Sequence, residues 1–540
     1  MRYLSKLLAK PLLTATSVLA IAAPITFPLA AQGTGGRVVL VLPFDNRSGN
    51  PSLNWIGDSF PDTLNKRLDS AGFLTISHDD RSFALDHLGL PVGFKPSRAT
   101  TIRIAQQLDA NYVIVGSYNV SGANGATPDK IAIQAEVLSV DNLTLTAPIQ
   151  DGADLPRLFD AENAIAWKVA RSIDPHFSVA EATFLFAPGG VPLPAFEDYI
   201  RGTNAPTADE RTKRLQAAVA LVPTYSAALL ALGKEQYAAR DFTSAAATLS
   251  KVPLADRLAL EANFYLGLAR FNTANYAGAE QAFAFVAQNL PLPEVVNNQA
   301  VASSRQNKDA APLFQRASAA DPSDEDYHYN LSVSLYRRGD ITGALKEADA
   351  ALKLKPADNE VGALRAHLSL APAGSKLMPT STFSPLERIR RTYSETGFRQ
   401  AAFQLDQMRA ARMATLPPDQ AAAQYSDLGL GYLGQGLLPE AEQEFQSALA
   451  ADPNSAAAHA GLAQVREASS STQEARNEAN ASLHIKPNAP AFLVLARLEL
   501  AANNLTSAAG DVSQALHIEP TNSAAIALRM TLQQRGQQVP

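Results

Sequence analysis

The chain has 540 residues, 46 basic and 52 acidic side chains, a net charge of −6 and no cysteine. Without cysteine there can be no disulfide, thiolate catalysis, Cys-ligated zinc, iron–sulfur cluster or Cys-linked lipid anchor. The acidic balance argues against nucleic acid as a partner. With 46 % hydrophobic and 18 % charged residues, there is apolar material for packed cores and too little charge for a disordered chain. The length allows several domains, or one domain and a repeat array.

At the N-terminus, Arg2, Lys6 and Lys10 precede an uncharged stretch from Pro11 to Gly36, apolar in its middle, and Leu29-Ala30-Ala31-Gln32 offers small residues for cleavage. Basic, apolar, small is the order of a secretory signal peptide. Residues 1–31 are therefore expected to direct export and be removed, leaving no stable membrane span. The uncharged stretch is long enough for an uncleaved anchor, but Pro24, Pro28 and the glycines at 33, 35 and 36 weaken it as one helix.

Residues 37–178 read as a small α/β domain in the order β-α-β-α-β-β-α. Arg37 to Phe44 is a continuous apolar run ended by proline, which predicts a strand buried on both faces. Helical spacing follows in Ile56, Phe60, Leu64 and Leu68, then a short strand at Phe73–Ile76 and a helix at about 99–108. Asn111–Val120 and Lys130–Val140 read as two strands joined by a Gly/Asn/Pro loop, and Leu155–Ile173 as the closing helix. Three stretches carry a resemblance to the N-terminal domain of TolB and to FlgO-like and CsgG-like envelope domains. They are Val39-Leu-Val-Leu-Pro-Phe-Asp-Asn46, Asn54-Trp-Ile-Gly-Asp-Ser-Phe60 and Asp109-Ala-Asn-Tyr-Val-Ile-Val-Gly-Ser-Tyr118. The resemblance covers about 140 residues in one small domain's size range. It implies an envelope interaction domain and not an enzyme, and a location in the periplasm of a Gram-negative bacterium. TolB continues into a β-propeller and this chain does not, so propeller-dependent partners do not carry over.

From about 197 to 534 the pattern becomes a helical repeat. Prolines recur in two groups, Pro291, Pro322, Pro356 and Pro453, Pro487, Pro520, at gaps of roughly 34 residues. Between them Tyr265-Leu-Gly-Leu-Ala-Arg precedes Tyr276, Ala279 and Phe283, and Leu428-Gly leads to Gly436, Ala441, Phe445 and Ala448. This resembles the tetratricopeptide repeat (TPR). Small residues such as Gly267, Ala279, Gly429 and Ala441 are expected where paired helices meet, and proline ends the second helix of a pair. Seven clear units are expected, at about 225–252, 256–291, 294–322, 323–356, 421–453, 454–487 and 488–520. A degenerate pair precedes them at 197–222, and Ser523–Gln534 forms a cap. The fold class is thus an α/β N-terminal domain with a small mixed sheet, followed by a predominantly all-α TPR solenoid. The array divides into 197–370 and 421–534, separated by residues 371–420. Of these, Ala371–Pro385 has a linker's composition and Arg388–Met413 reads as a basic helical segment.

No nucleotide-binding, zinc-protease or serine-hydrolase motif occurs, and neither a catalytic residue, a cofactor nor a metal is expected. His78-Asp79-Asp80, the one dense cluster of possible ligands, follows a strand where turn residues belong. Asp45 and Asn46 end the first strand, where α/β sheets often place ligands, and a turn explains them equally well. By TPR analogy the first helix of each unit lines a concave groove. The expected lining is Lys234, Tyr237, Phe264, Leu268, Phe271, Tyr329, Val333, Tyr336 and Arg337, an aromatic set with few cations, suited to an apolar or helical protein segment and insensitive to salt. The alternative is that several of these rings pack between helices. Arg388, Arg390, Arg391, Arg399, Arg409 and Arg412 form a basic cluster, read either as a solvated helix face or as a surface for an acidic partner or anionic lipid. The expected function is a non-enzymatic exported scaffold that binds other proteins, with envelope proteins as the partners that the resemblance above implies. The alternative is a sensory module whose α/β domain binds a small ligand.

Overall fold

A computed structural model describes residues 37–90, 96–122, 129–186, 191–377, 382–393 and 395–540. The expected signal peptide lies outside these residues. β1 (Val38–Val41) is hydrogen-bonded in parallel to β3 (Leu74–Thr75) and to β4 (Tyr112–Ser121). β4 runs antiparallel to β5 (Lys130–Ser139), which also carries β6 (Thr144–Leu145) and β7 (Ile149–Asp154). β2 (Asp45–Asn46) pairs with the far end of β4. The result is a mixed sheet of seven strands.

The alternation of β1 explains the layers. Val39 and Val41 point to one face, where they pack with residues of α1 (Trp55–Ser70) and α4 (Leu158–Ile173). Leu40 points to the other, with Ile104 and Ala105 of α3 (Arg98–Gln107) and Leu85 of α2 (His78–His87). The expected strand buried on both faces is present. The expected turn at His78-Asp79-Asp80 is not. These residues begin α2, because the Ser77 hydroxyl caps the helix by accepting the Asp80 N–H at 3.0 Å and the two acids suit its positive end. No group of three or more metal-ligating side chains occurs among the described residues. Asp45 and Asn46 form β2, and Asn46 also shapes the turn after it by accepting the Ser48 N–H at 2.9 Å.

Between α1 and α4 lies a fully buried carboxyl. Glu162 bonds to the hydroxyls of Ser59 and Thr63, the latter at 2.7 Å. Ser59 Oγ also lies 2.8 Å from Ile56 O. One hydroxyl proton cannot serve both oxygens, so a protonated Glu162 that donates to Ser59 satisfies all three groups. Burial pushes its pKa up from 4.5 to about 7.

The core does not stop at the α/β layers. Phe177, Phe184, Phe196, Tyr199 and Ile200 extend it into helices 193–203, 208–221 and 226–238. Tyr199 donates its hydroxyl to Asp62 of α1 at 2.8 Å. Helix pairs then follow at 226–238/242–249, 259–272/276–289, 293–304/311–320 and 325–338/341–354, and helix 359–370 follows with no second helix of its own among the described residues. A later run pairs 418–434/438–451, 456–468/472–485 and 489–501/505–518, ending at helix 523–534. Glycines sit where the helices touch. A Cβ on Gly267 would lie 2.7 Å from the Phe283 ring, and one on Gly429 2.7 Å from Phe445.

Between the two runs, the described residues of linker composition, 371–377 and 382–385, fold back on the first. Leu377 is buried against helices 325–338 and 359–370, and the Phe383 ring stacks on His367 at 4.3 Å. The basic segment is helical only over Glu395–Met413. Residues 382–393 form neither helix nor strand. No helix among the described residues is long and apolar enough to cross a membrane.

Two outcomes are expected. A carboxyl raised to about 7 stays protonated in the folded chain where the unfolded chain has lost its proton. Glu162 therefore makes stability fall as pH rises from 4.5 to 7. Glu162→Gln removes that slope, so the variant should gain on wild type between pH 5 and pH 8 in urea midpoints, and parallel profiles would refute it. Gly267→Leu should lose roughly 1–3 kcal/mol in the same assay through overpacking against Phe283, with an unchanged midpoint as the contrary result.

Candidate functional site

The first helices of successive units stand side by side and present side chains from their middles to a common face. Side chains there come from positions about one repeat apart, such as Asn263, Asn297 and Asn330. An amide in mid-helix costs helix propensity, so three at this spacing call for a use. Asn263 is spent on its own helix, donating to Ala259 O at 2.8 Å. The others grip a second piece of chain.

That piece is residues 386–393. Asn330 accepts the Arg388 N–H at 2.7 Å and donates to Arg388 O at 2.7 Å, and Asn297 donates to the same carbonyl at 3.0 Å. Asn298 repeats the two-bond clamp on Arg390, accepting its N–H at 2.8 Å and donating to its O at 2.8 Å. Asn330 also donates to Asn297 Oδ1 at 2.8 Å, which orients both amides. Clamped residues two apart present alternate side chains to opposite sides, as in a strand.

The alternation sorts the side chains by chemistry. Glu387 is fully buried and meets Ser304 Oγ at 2.5 Å, Arg337 at 3.0 Å and Arg305 at 3.5 Å, near the C-terminal ends of the helices. Ile389 packs into the apolar clusters around Phe264 and Phe314. Arg388 lies over the Tyr329 ring at 4.2 Å and pairs with Asp326 at 2.7 Å, Asp358 at 2.9 Å and Glu360 at 2.6 Å, near the N-terminal ends. Arg390 lies over Tyr327 and pairs with Asp324 and Asp326. The hydrogen bond from Arg388 holds the Asp358 carboxyl down at about 2. Further along, Tyr393 and Phe398 close over Phe264, with ring centroids 5.4 and 6.2 Å away.

This geometry corrects the expected open aromatic groove. Phe264 is covered by Tyr393 and Phe398, and Tyr329 by Arg388. Tyr336 is buried, bonded through its hydroxyl to His367 at 2.9 Å. Leu268 and Val333 are fully buried in the clusters between helices, as the packing alternative has it. Phe271 is partly buried beneath Arg305, and Tyr237 packs on Tyr265 and Phe242. Lys234 pairs with Glu261 at 2.8 Å and Asp79 at 3.6 Å, and Arg337 holds Glu387. The groove is also more charged than expected, since Asp324, Asp326, Asp358 and Glu360 line it.

The basic cluster is corrected as well. Arg388 and Arg390 are neither on a helix nor on a solvated face, because their acidic partners belong to the same chain. Arg399 reaches the α/β part, 3.0 Å from Thr75 O and 3.2 Å from Asp69. Arg409 pairs with Asp406 on its own helix at 3.0 Å, and Arg391 and Arg412 are exposed. Sequence reasoning passed over Asn297, Asn298 and Asn330, although their repeat spacing was in plain view.

The family model described as Tetratricopeptide repeat matches residues 230–291, 299–359 and 426–490. The chain therefore carries tetratricopeptide repeats on both sides of residues 371–420. No curated protein matches it in sequence. Among solved structures it is similar to MamA from Desulfovibrio magneticus RS-1, at 16 % identity over 32 % of this chain and 99 % of that one, with a TM-score of 0.29. YrrB, described as a TPR protein with an unusual peptide-binding site, is 14 % identical over 38 % of this chain and 97 % of its own, at a TM-score of 0.29. The C-terminal domain of LpoB from Salmonella enterica is 23 % identical over 23 % of this chain and 87 % of its own, at 0.18.

Removing one clamp tests the site. Asn330→Ala leaves the N–H of Arg388 without its partner and its C=O with Asn297 alone, at a cost of about 1–3 kcal/mol. Tryptic cleavage after Arg388 or Arg390 should then quicken roughly tenfold or more, with helical circular dichroism unchanged. An unaltered cleavage rate would mean that the amide does not hold the segment.

Proposed function

We propose that this protein is a non-catalytic, exported scaffold that binds other proteins through its repeats in the bacterial envelope. One observation carries the reading: the concave face of the first repeat run grips the main chain of an extended segment through asparagine amides. A surface that satisfies peptide N–H and C=O groups from side chains is built to hold polypeptide. TPR proteins typically use their repeats for protein–protein interaction, which agrees with it. The N-terminal resemblance to TolB, FlgO-like and CsgG-like envelope domains, with the basic, apolar, small order of residues 1–31, supports the envelope location. Residues 37–178 would then be the envelope interaction domain, with 197–370 and 421–534 as the binding arrays.

A reporter fused after Gly36 should be active only across the inner membrane, and full-length, unprocessed protein in the cytosol would sink the export reading. Photo-crosslinking from the groove in intact cells should capture envelope proteins. Capture should weaken as salt rises, because the groove walls are acidic and basic side chains.

A further inference from the structure

The geometry points to a groove that reads a defined peptide pattern, and to residues 386–393 as an internal competitor that fills it until a partner segment of the same chemistry takes its place. The pattern is an acidic residue, then two arginines at alternate positions with an apolar residue between them, and an aromatic residue further on. This deepens the scaffold reading and rests on it, naming the partner's chemistry.

Each position of the pattern answers to a feature of the groove. The amides of Asn297, Asn298 and Asn330 accept any main chain in extended form, so they supply grip without selectivity. Selectivity comes from what stands beside them. Glu387 is fully buried between Ser304, Arg305 and Arg337. A neutral residue there would leave two guanidinium groups facing each other without a counter-charge. Arg388 has a ring beneath it and three carboxylates around it, an arrangement that suits a planar, forked cation better than a lysine. Arg390 repeats the ring-and-carboxylate arrangement on Tyr327, Asp324 and Asp326. Ile389 and Tyr393 fill apolar space against Phe264 and its neighbours.

The occupant behaves as a ligand and not as an element of the solenoid. It forms neither helix nor strand, and it meets the groove through side chains of helices that pair with each other without it. Two of the carboxylates that hold Arg388 and Arg390, Asp358 and Asp324, are already helix N-caps, bonded to the amides of Val361 at 3.2 Å and Asp326 at 2.9 Å. The negative wall therefore exists whether or not an arginine sits against it. Tethering sets the occupant's effective concentration on the order of mM. A free segment of equal intrinsic affinity is thus held off until its own concentration or contacts exceed that.

The test uses a labelled synthetic peptide of residues 384–393 and the full chain, read by fluorescence anisotropy. Three forms are compared: wild type, a chain with 386–393 replaced by glycine and serine, and that chain with Asn298→Ala and Asn330→Ala added. The peptide should bind the replaced chain at least tenfold tighter than wild type, and the added asparagine changes should abolish the gain. A peptide with Glu387→Arg, Arg388→Glu and Arg390→Glu should bind none of them. If the replaced chain loses its helical circular dichroism, the full chain with Arg388→Ala and Arg390→Ala takes its place with the same expectation. A folded, emptied chain that binds the peptide no tighter than wild type would overturn the proposal and make the segment a fixed strut. A wild-type dimer that dissolves when 386–393 is replaced would overturn it differently, placing a second copy's segment in the groove. Because the probe is a defined peptide and the assay is in solution, failure here leaves export and partner capture standing, and their failure leaves this result standing.

Discussion

An extended chain laid across a helical groove has no neighbouring strand to take its peptide groups, and in a dry groove each unpaired N–H or C=O is costly. That constraint governs the middle of this molecule. The side-chain amides of Asn298 and Asn330 meet it by each donating and accepting once. Once the main chain of residues 388 and 390 is held, alternation sends Glu387 and Ile389 one way and the two arginines the other. The burial of Phe264 and Tyr329 and the pairing of Asp324, Asp326 and Asp358 all follow from this placement.

The same use of connecting chain recurs at the second repeat run. Residues 178–186, which lead from the sheet domain to the first helix pairs, lie against helices 438–451 and 456–468. The Ala180 N–H donates to Glu442 at 3.0 Å, and Arg466 bridges Glu442 and the Thr183 hydroxyl, each at 2.7 Å. Glu442 is fully buried, so the Arg466 pair and the Ala180 amide are what make its charge tolerable there. Gln443 donates to Ser70 O of α1 at 3.3 Å, and Arg399 reaches Thr75 from the intervening helix. The repeats therefore close back on the α/β layers. An open solenoid would meet only its own neighbours.

Helix pairing rests on a simpler device. Gly267 and Gly429 leave room for Phe283 and Phe445, whose rings occupy the space that a Cβ would need. The large residue of one helix and the small residue of its partner are a matched pair, and neither could be exchanged alone without overpacking or a void.

The repeat architecture and the layered α/β start were legible because they depend on local periodicity. Small and large residues recur in phase, proline ends helices, and the apolar run at Val38–Val41 fits only a strand covered on both sides. Short elements were less legible. β7, with the sequence Ile-Gln-Asp-Gly-Ala-Asp, has little apolar alternation and owes its form to β5 beside it. His78-Asp79-Asp80 looks like a turn until the Ser77 cap makes it a helix start. The groove was half legible. Its aromatics and arginines could be named from the sequence, but they were assigned to two separate surfaces, one apolar and one basic. Composition lists which charges a chain has, and pairing depends on which residues far apart in sequence come within a few ångströms. Asp326 and Arg388 are 62 residues apart, and Asn298 and Arg390 are 92 apart. The sequence by itself determined the repeats and the residue types available to a groove. Only the tertiary structure decided that the groove's contents come from the same chain, because closing so long a loop is decided by the stacking of every helix between its ends.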